Sequence, residues 1–224
     1  MEFDATISTE LCELMGKYGS DKGNENLKIS PHNYSTLYYK LFFKRKHENL
    51  RIFELGLGTN NVNLPSNMGA NGKPGASLKA WCDFFPNSLI FGADIDRDIL
   101  FNTERIKTFY CNQLNETDIS NLWSNPELNE NFDIIIEDGL HTPEANICFF
   151  ENSIHKLKKG GYYIIEDIYI DTSIFENIIE EKWKNEYPHL EFQIIKLPIL
   201  ENCSKTANNI VLIHHKSSNI RTCI

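Results

Sequence analysis

Arg51-Ile-Phe-Glu-Leu-Gly-Leu-Gly58 is the stretch on which the fold turns. A short apolar run ends at a glutamate and then at two glycines one residue apart. A buried strand followed by a glycine turn reads this way, because glycine lets the backbone turn tightly and approach a ligand closely. The pattern is ExGxG and not the GxGxxG of a pyrophosphate-binding turn. Three further apolar runs follow, Ser88 to Ala93 (ending at Asp94), Phe132 to Ile136 and Gly161 to Ile165, with a shorter one at Lys107 to Cys111. Unbroken apolar runs of this length are the mark of parallel strands covered on both faces. Helices are expected between them, over Ser77 to Phe85, Ile119 to Ser124, Glu144 to Lys158 and Ser173 to Tyr187.

The alternation fails at the end of the chain. Leu190 to Leu197 and Asn209 to His214 read as two strands joined by a polar loop, Leu200 to Asn208, too short to hold a crossover helix. They are expected to pair antiparallel. The predicted fold is therefore α/β: a mostly parallel seven-stranded sheet with a C-terminal antiparallel hairpin and helices on both faces. That layout is Rossmann-like, of the class I methyltransferase kind and unlike that of dehydrogenases. Residues 1–224 are read as one domain, with 1–47 a helical or lid segment before a core over 48–216. Gly19-Ser-Asp-Lys-Gly23 and Tyr34, Tyr38 and Tyr39 look too polar and aromatic for a core helix, and are expected to fold over the ligand.

Composition narrows the partners. Lys+Arg 22 against Asp+Glu 31 gives a net charge of −9, which argues against a nucleic-acid partner, whose phosphates demand a basic face. No apolar run reaches the ~20 residues that span a bilayer, and the first ten residues have no apolar signal core. The six cysteines, at 12, 82, 111, 148, 203 and 223, form no CxxC pair or regular framework. A reduced, cytoplasmic protein acting on a small-molecule or glycan acceptor is expected, with room for a homo-oligomer.

In an open α/β sheet, ligands bind outside the carboxyl ends of the strands. Glu54, Gly56 and Gly58 end the first predicted strand, and Asp94 ends the second, where an acid can accept from both ribose hydroxyls, with Asp96 as the alternative. Asn112-Gln113 follow the third and offer amides to an adenine edge or form a polar turn. The strand ends thus fit a nucleoside-bearing cofactor. Asp138-Gly-Leu-His141 follow the fourth strand and Glu166-Asp167 the fifth. Three carboxylates and a histidine on one rim suit a hard divalent cation such as Mg²⁺. Helix capping explains at most one of Glu166 and Asp167, which end the apolar run Tyr162 to Ile165.

Glu137-Asp-Gly-Leu-His141, with Leu157-Lys-Lys-Gly-Gly-Tyr-Tyr-Ile-Ile-Glu-Asp167, resembles the macrocin and mycinamicin sugar O-methyltransferases, whose pattern is D-D-G-S-H followed by L-x-P-G-G-x-Y-x-x-E-D. Gly19 to Gly23, Tyr34 with Tyr38, Gly75 to Trp81 and Phe85-Pro86 extend the resemblance from about Gly19 to Ile168. It implies an S-adenosylmethionine-dependent O-methyltransferase that uses a divalent metal, Mg²⁺ by preference. It further implies Asp138, Glu166 and Asp167 as metal ligands and His141 as general base. Glu54, Gly56, Gly58, Asp94, Asn112, Gln113 and Asp138 are expected around the cofactor, with Ser77 near its amino-acid end. The chain departs from the pattern at Glu137, Leu140, Asn112 and Lys158-Lys159; none is a metal ligand. No stretch of the sequence corresponds to the large auxiliary domain of the macrolide enzymes, so the acceptor is not carried over. A nucleotide-linked sugar, a surface polysaccharide or a glycosylated natural product is expected, with a vicinal-diol or phenolic small molecule as the alternative. A NAD-dependent oxidoreductase is disfavoured by ExGxG and by the terminal hairpin. A non-catalytic S-adenosylmethionine-binding protein is disfavoured by the intact Asp138, His141, Glu166 and Asp167.

Overall fold

A computed structural model describes residues 4–23, 25–26, 30–199 and 206–217. Its strands are β1 (Arg51–Leu55), β2 (Leu89–Asp94), β3 (Ile106–Tyr110), β4 (Phe132–Glu137), β5 (Leu157–Tyr169), β6 (Leu190–Lys196) and β7 (Ala207–His215). They form one seven-stranded sheet in the order β3-β2-β1-β4-β5-β7-β6. The pairs from β3 through β5 are parallel, while β7 runs antiparallel to both β5 and β6. The class I methyltransferase layout expected from the apolar runs is therefore the one observed. Of the polar connection expected at Leu200 to Asn208, residues 200–205 lie outside the described residues.

Alternation along the strands divides the core between the two faces of the sheet. Phe53, Phe91, Ile135, Tyr163 and Ile165 pack with helices α4 (Glu116–Trp123) and α5 (Pro143–Ser153). Ile52, Ile90, Ile134, Ile136 and Ile164 pack with α1 (Glu10–Tyr18), α2 (Tyr34–Phe42) and α3 (Ala76–Phe84). Local chemistry sets the helix ends. The side chain of Thr9 accepts from the Cys12 backbone, Asn115 caps α4, and Thr142 caps α5 just before Pro143. The last predicted helix is α6 (Ser173–Ile178), continued by a π-helical turn over Ile179–Trp183.

One expectation fails here. The segment containing Tyr34 and Tyr38 is a core helix: Tyr34, Leu37, Tyr38 and Phe42 are buried on α2. Their spacing of three and four residues is one helical face, and its tyrosine rings supply the apolar area that aliphatic residues supply elsewhere. The other departure is the length of β5, which extends at both ends beyond the predicted Gly161 to Ile165. Its pairing with β7 shifts register between Ile165 and Ile168. That irregularity spans Glu166 and Asp167, and Asp167 has a φ of 54°.

Candidate active site

The carboxyl ends of β1 to β5 open into a cavity of about 680 Å³, a size suited to a cofactor and a small acceptor. It is lined by Glu54, Gly56, Gly58, Ser77, Asp94, Asn112, Gln113, Asp138, His141 and Asp167, and closed by Ser20 to Lys22 with Pro31 and His32. All the residues expected from the strand ends line this space except Glu166, which lies beneath it.

The β1 turn depends on glycine for close approach. Gly56 has a φ of 89°, and a Cβ there would stand 1.7 Å from the Asp138 carbonyl oxygen. The absence of a side chain at this position therefore joins the β1 and β4 ends. Gly58, at φ 73°, would strike the Met68 sulfur. Glu54 is buried and accepts from Ser77 Oγ at 2.5 Å and from Trp81 Nε1 at 2.7 Å. Burial raises its pKa, and the Lys22 charge opposes the rise.

Asp94 takes backbone N–H bonds from Leu57 (2.7 Å) and Asp96 (2.8 Å) and faces the cavity. Asp96 does not line the cavity. It accepts from Thr59 Oγ1 at 2.5 Å and from the Asp98 N–H at 3.0 Å. The geometry thus favours Asp94 over Asp96 for a ribose. Gln113 is a different case: its amide nitrogen donates to Glu137 at 2.6 Å, and its oxygen accepts from the Leu140 N–H at 2.8 Å. Its amide thereby braces the Asp138 loop. Asn112 uses its side-chain oxygen on the Leu114 N–H, 3.1 Å away.

At the ends of β4 and β5, Asp138, His141 and Asp167 each present a ligand atom within 4.8 Å of the others. His141 Nε2 lies 3.0 Å from Asp138 Oδ1 and 3.3 Å from Asp167 Oδ2. Both His141 (φ 61°) and Asp167 (φ 54°) hold left-handed backbone conformations. For side chains other than glycine these cost energy and concentrate at functional sites. Burial would lower the His141 pKa, but its hydrogen bond to Asp138 and the charges of Asp138 and Asp167 raise it to about 9. Asp167 is raised by burial and by Asp138.

Glu166 does not join that group. Its two oxygens are taken by the Tyr38 hydroxyl and by Lys22 Nζ. Tyr34 and Tyr38, one helical turn apart on α2, donate to Asp167 and Glu166 respectively. Successive residues of a regular strand point to opposite faces; the register break in β5 lets these two acids meet one helix face.

Lys22 is the charged residue at the site that sequence reasoning missed. Its side chain is buried, and Nζ contacts Asp138 and Glu166 and lies 3.6 Å from Glu54 Oε1. It joins the ends of β1, β4 and β5. Burial disfavours its charge, but the three carboxylates outweigh that and hold its pKa well above the usual lysine value. Asp138 remains ionised, because Lys22 and His141 offset the cost of its burial.

No family model matches the chain. Curated relatives do. A 160-residue stretch is 30% identical to 8-demethyl-8-(2-methoxy-alpha-L-rhamnosyl)-tetracenomycin-C 3'-O-methyltransferase of Streptomyces olivaceus, covering 71% of this chain and 37% of the relative. A 120-residue stretch is 33% identical to L-olivosyl-oleandolide 3-O-methyltransferase of Streptomyces antibioticus, covering 54% of this chain and 28% of the relative. Demethylmacrocin O-methyltransferase of Streptomyces fradiae is 29% identical over 160 residues, covering 71% and 36%. The chain is related to the macrocin-type sugar O-methyltransferases. It spans little more than a third of the length of these macrocin-type relatives at most. Among solved structures, the mycinamicin-pathway methyltransferase MycE, in complex with Mg and SAH, superposes with a TM-score of 0.68 at 20% identity. The superposition covers 96% of this chain and 57% of MycE, and shows a common fold.

Proposed function

We propose that this protein is an S-adenosylmethionine-dependent O-methyltransferase that methylates a sugar hydroxyl with the help of a divalent metal. The observation that carries the reading is the junction of two half-sites in one cavity. The glycine turn with Asp94 and the Asp138–His141–Asp167 cluster line the same cavity. The relatives' names, all O-methyltransferases of glycosylated natural products, supply the acceptor class. A vicinal-diol or phenolic acceptor is the second reading, since the same cluster suits any pair of neighbouring oxygens.

The donor set fits a hard cation: two carboxylates and an imidazole converge, and the third acid, Glu166, stands directly behind them. Asp138 and Asp167 would hold the metal, with Glu166 joining only if Lys22 and Tyr38 release its oxygens. S-adenosylmethionine supplies a methyl group already activated on sulfur. A bound divalent metal supplies Lewis acidity, which lowers the pKa of a sugar hydroxyl and favours its ionised form. Asp94 would accept from the ribose, and Glu54 and Ser77 also border the cavity. His141, beside Asp138 and Asp167, would take the proton from the acceptor hydroxyl. Lys22 keeps Asp138 ionised and fixed.

Isothermal titration with S-adenosylhomocysteine, with Mg²⁺ and with NAD tests the reading. It predicts binding of the first two and none of NAD. NAD binding, or failure to bind S-adenosylhomocysteine, would contradict it.

A further inference from the structure

The cavity is acidic, yet the proposed cofactor carries an anionic group. Asp21, Glu54, Asp94, Asp138 and Asp167 line it, and they suit a metal ion, a sulfonium and an amino group. The carboxylate of the methionyl arm is the one group of S-adenosylmethionine that they would repel. A positive group is needed where that arm ends.

The side chains narrow the choice. Lys22 is enclosed by Glu54, Asp138 and Glu166, so its charge is already balanced. Both histidines of the cavity, His32 and His141, flank Asp167. Lys73 remains. It lines the cavity, is exposed, and its ammonium group makes no ion pair or hydrogen bond among the described residues.

The chain on either side sets its place. Lys73 stands near the end of the connection from β1 to α3, and its carbonyl accepts from the Ala76 N–H at 3.0 Å. Two residues on, the Gly75 N–H donates to the Leu57 carbonyl at 2.8 Å, and the Leu57 N–H donates in turn to Asp94 Oδ2. Lys73 is thereby tethered to the glycine turn that also holds the ribose acid. Its stem meets the N-terminal segment: a Cβ on Gly19 would stand 3.2 Å from Lys73 Cγ. Gly19 immediately precedes the Ser20 to Lys22 stretch that closes the cavity.

We infer that the Lys73 ammonium group pairs with the methionyl carboxylate of S-adenosylmethionine. With the ribose at Asp94 and the carboxylate at Lys73, the sulfur between them is fixed from both sides, which is what an in-line methyl transfer requires. The inference rests on the S-adenosylmethionine reading above.

Isothermal titration tests it by comparing S-adenosylhomocysteine with 5′-methylthioadenosine, which keeps the adenosine and the sulfur but lacks the amino-acid end. Lys73→Gln should weaken S-adenosylhomocysteine binding about three- to tenfold, the range for a partly exposed charge pair. Binding of 5′-methylthioadenosine should stay within about twofold. Lys73→Arg should keep most of the affinity, since it keeps the charge. Added NaCl should weaken S-adenosylhomocysteine binding more steeply in the wild type than in Lys73→Gln. Unchanged S-adenosylhomocysteine affinity in Lys73→Gln would overturn the inference and leave Lys73 to an anionic group of the acceptor. Equal weakening of both ligands would overturn it too, by making the role of Lys73 structural. Failure of the wild type to bind S-adenosylhomocysteine would instead overturn the S-adenosylmethionine reading itself.

Discussion

Nζ of Lys22 lies 2.5 Å from Oε2 of Glu166, a residue 144 positions away, and neither is exposed to solvent. The contact ties the segment before the sheet to the end of β5, directly under the acids that face the cavity. Its physical consequence is charge balance. Glu54, Asp138 and Glu166 surround one ammonium group, and without it two buried carboxylates and a half-buried one would face one another.

Lys22→Met should therefore destabilise the metal-free protein by about 3–5 kcal/mol, the usual cost of leaving buried charges without their partner. A divalent cation restores positive charge nearby, so Mg²⁺ should raise the melting temperature of the variant more than that of the wild type. Thermal denaturation with and without Mg²⁺ checks both. An equal metal-induced shift in the two proteins would show that Lys22 is electrostatically separate from the cation site.

His141 predicts a pH dependence. Its folded pKa of about 9 lies above the ordinary 6.5, so its ion pairs stabilise the metal-free fold fully below the unfolded value and are lost as pH rises through the folded one. The melting temperature of metal-free wild type should fall across that window relative to His141→Asn. Metal binding at Asp138 and Asp167 removes the partners that hold the proton. At pH 8, titration of Mg²⁺ in buffers of different ionisation enthalpy should therefore report proton release, and His141→Asn should abolish it.

The β1 turn predicts a steric effect. Gly56→Ala places a methyl group against the Asp138 carbonyl and in a left-handed conformation. A loss of stability above about 1 kcal/mol, with weakened binding of S-adenosylhomocysteine, is expected. Chemical denaturation and calorimetry measure the two effects. A neutral substitution would mean that the β1 and β4 ends are farther apart in solution.

The two acids after β2 predict a contrast. Asp94→Ala should weaken S-adenosylhomocysteine binding by about 1–3 kcal/mol. Asp96→Ala, whose carboxylate is engaged with Thr59 and the Asp98 backbone, should act mainly through stability. The reverse pattern in calorimetry would reassign the ribose partner.

The strands were legible because parallel strands buried on both faces leave continuous apolar runs, and Glu54, Asp94, Asp138 and Asp167 were legible because they interrupt those runs at the cavity rim. Lys22 was not. It lies in a polar stretch, where a lysine reads as solvated, and its partners are brought to it only by tertiary structure. Tyr34 and Tyr38 carried a usable signal, the 34-37-38-42 spacing of a buried helix face, obscured by their hydroxyls. Those hydroxyls are satisfied by Asp167 and Glu166, a pairing that depends on the β5 register break and leaves no trace in composition.

The most direct measurement is mass spectrometry of methyl α-L-rhamnopyranoside incubated with the protein and trideuteromethyl S-adenosylmethionine, with Mg²⁺ and after exhaustive EDTA treatment. The account predicts a trideuteromethyl ether on the sugar with Mg²⁺, loss of that product after chelation and its return when Mg²⁺ is restored. Undiminished transfer in EDTA would contradict the metal role of Asp138 and Asp167, and absence of transfer to this and other sugar glycosides under every metal condition would contradict the sugar O-methyltransferase itself.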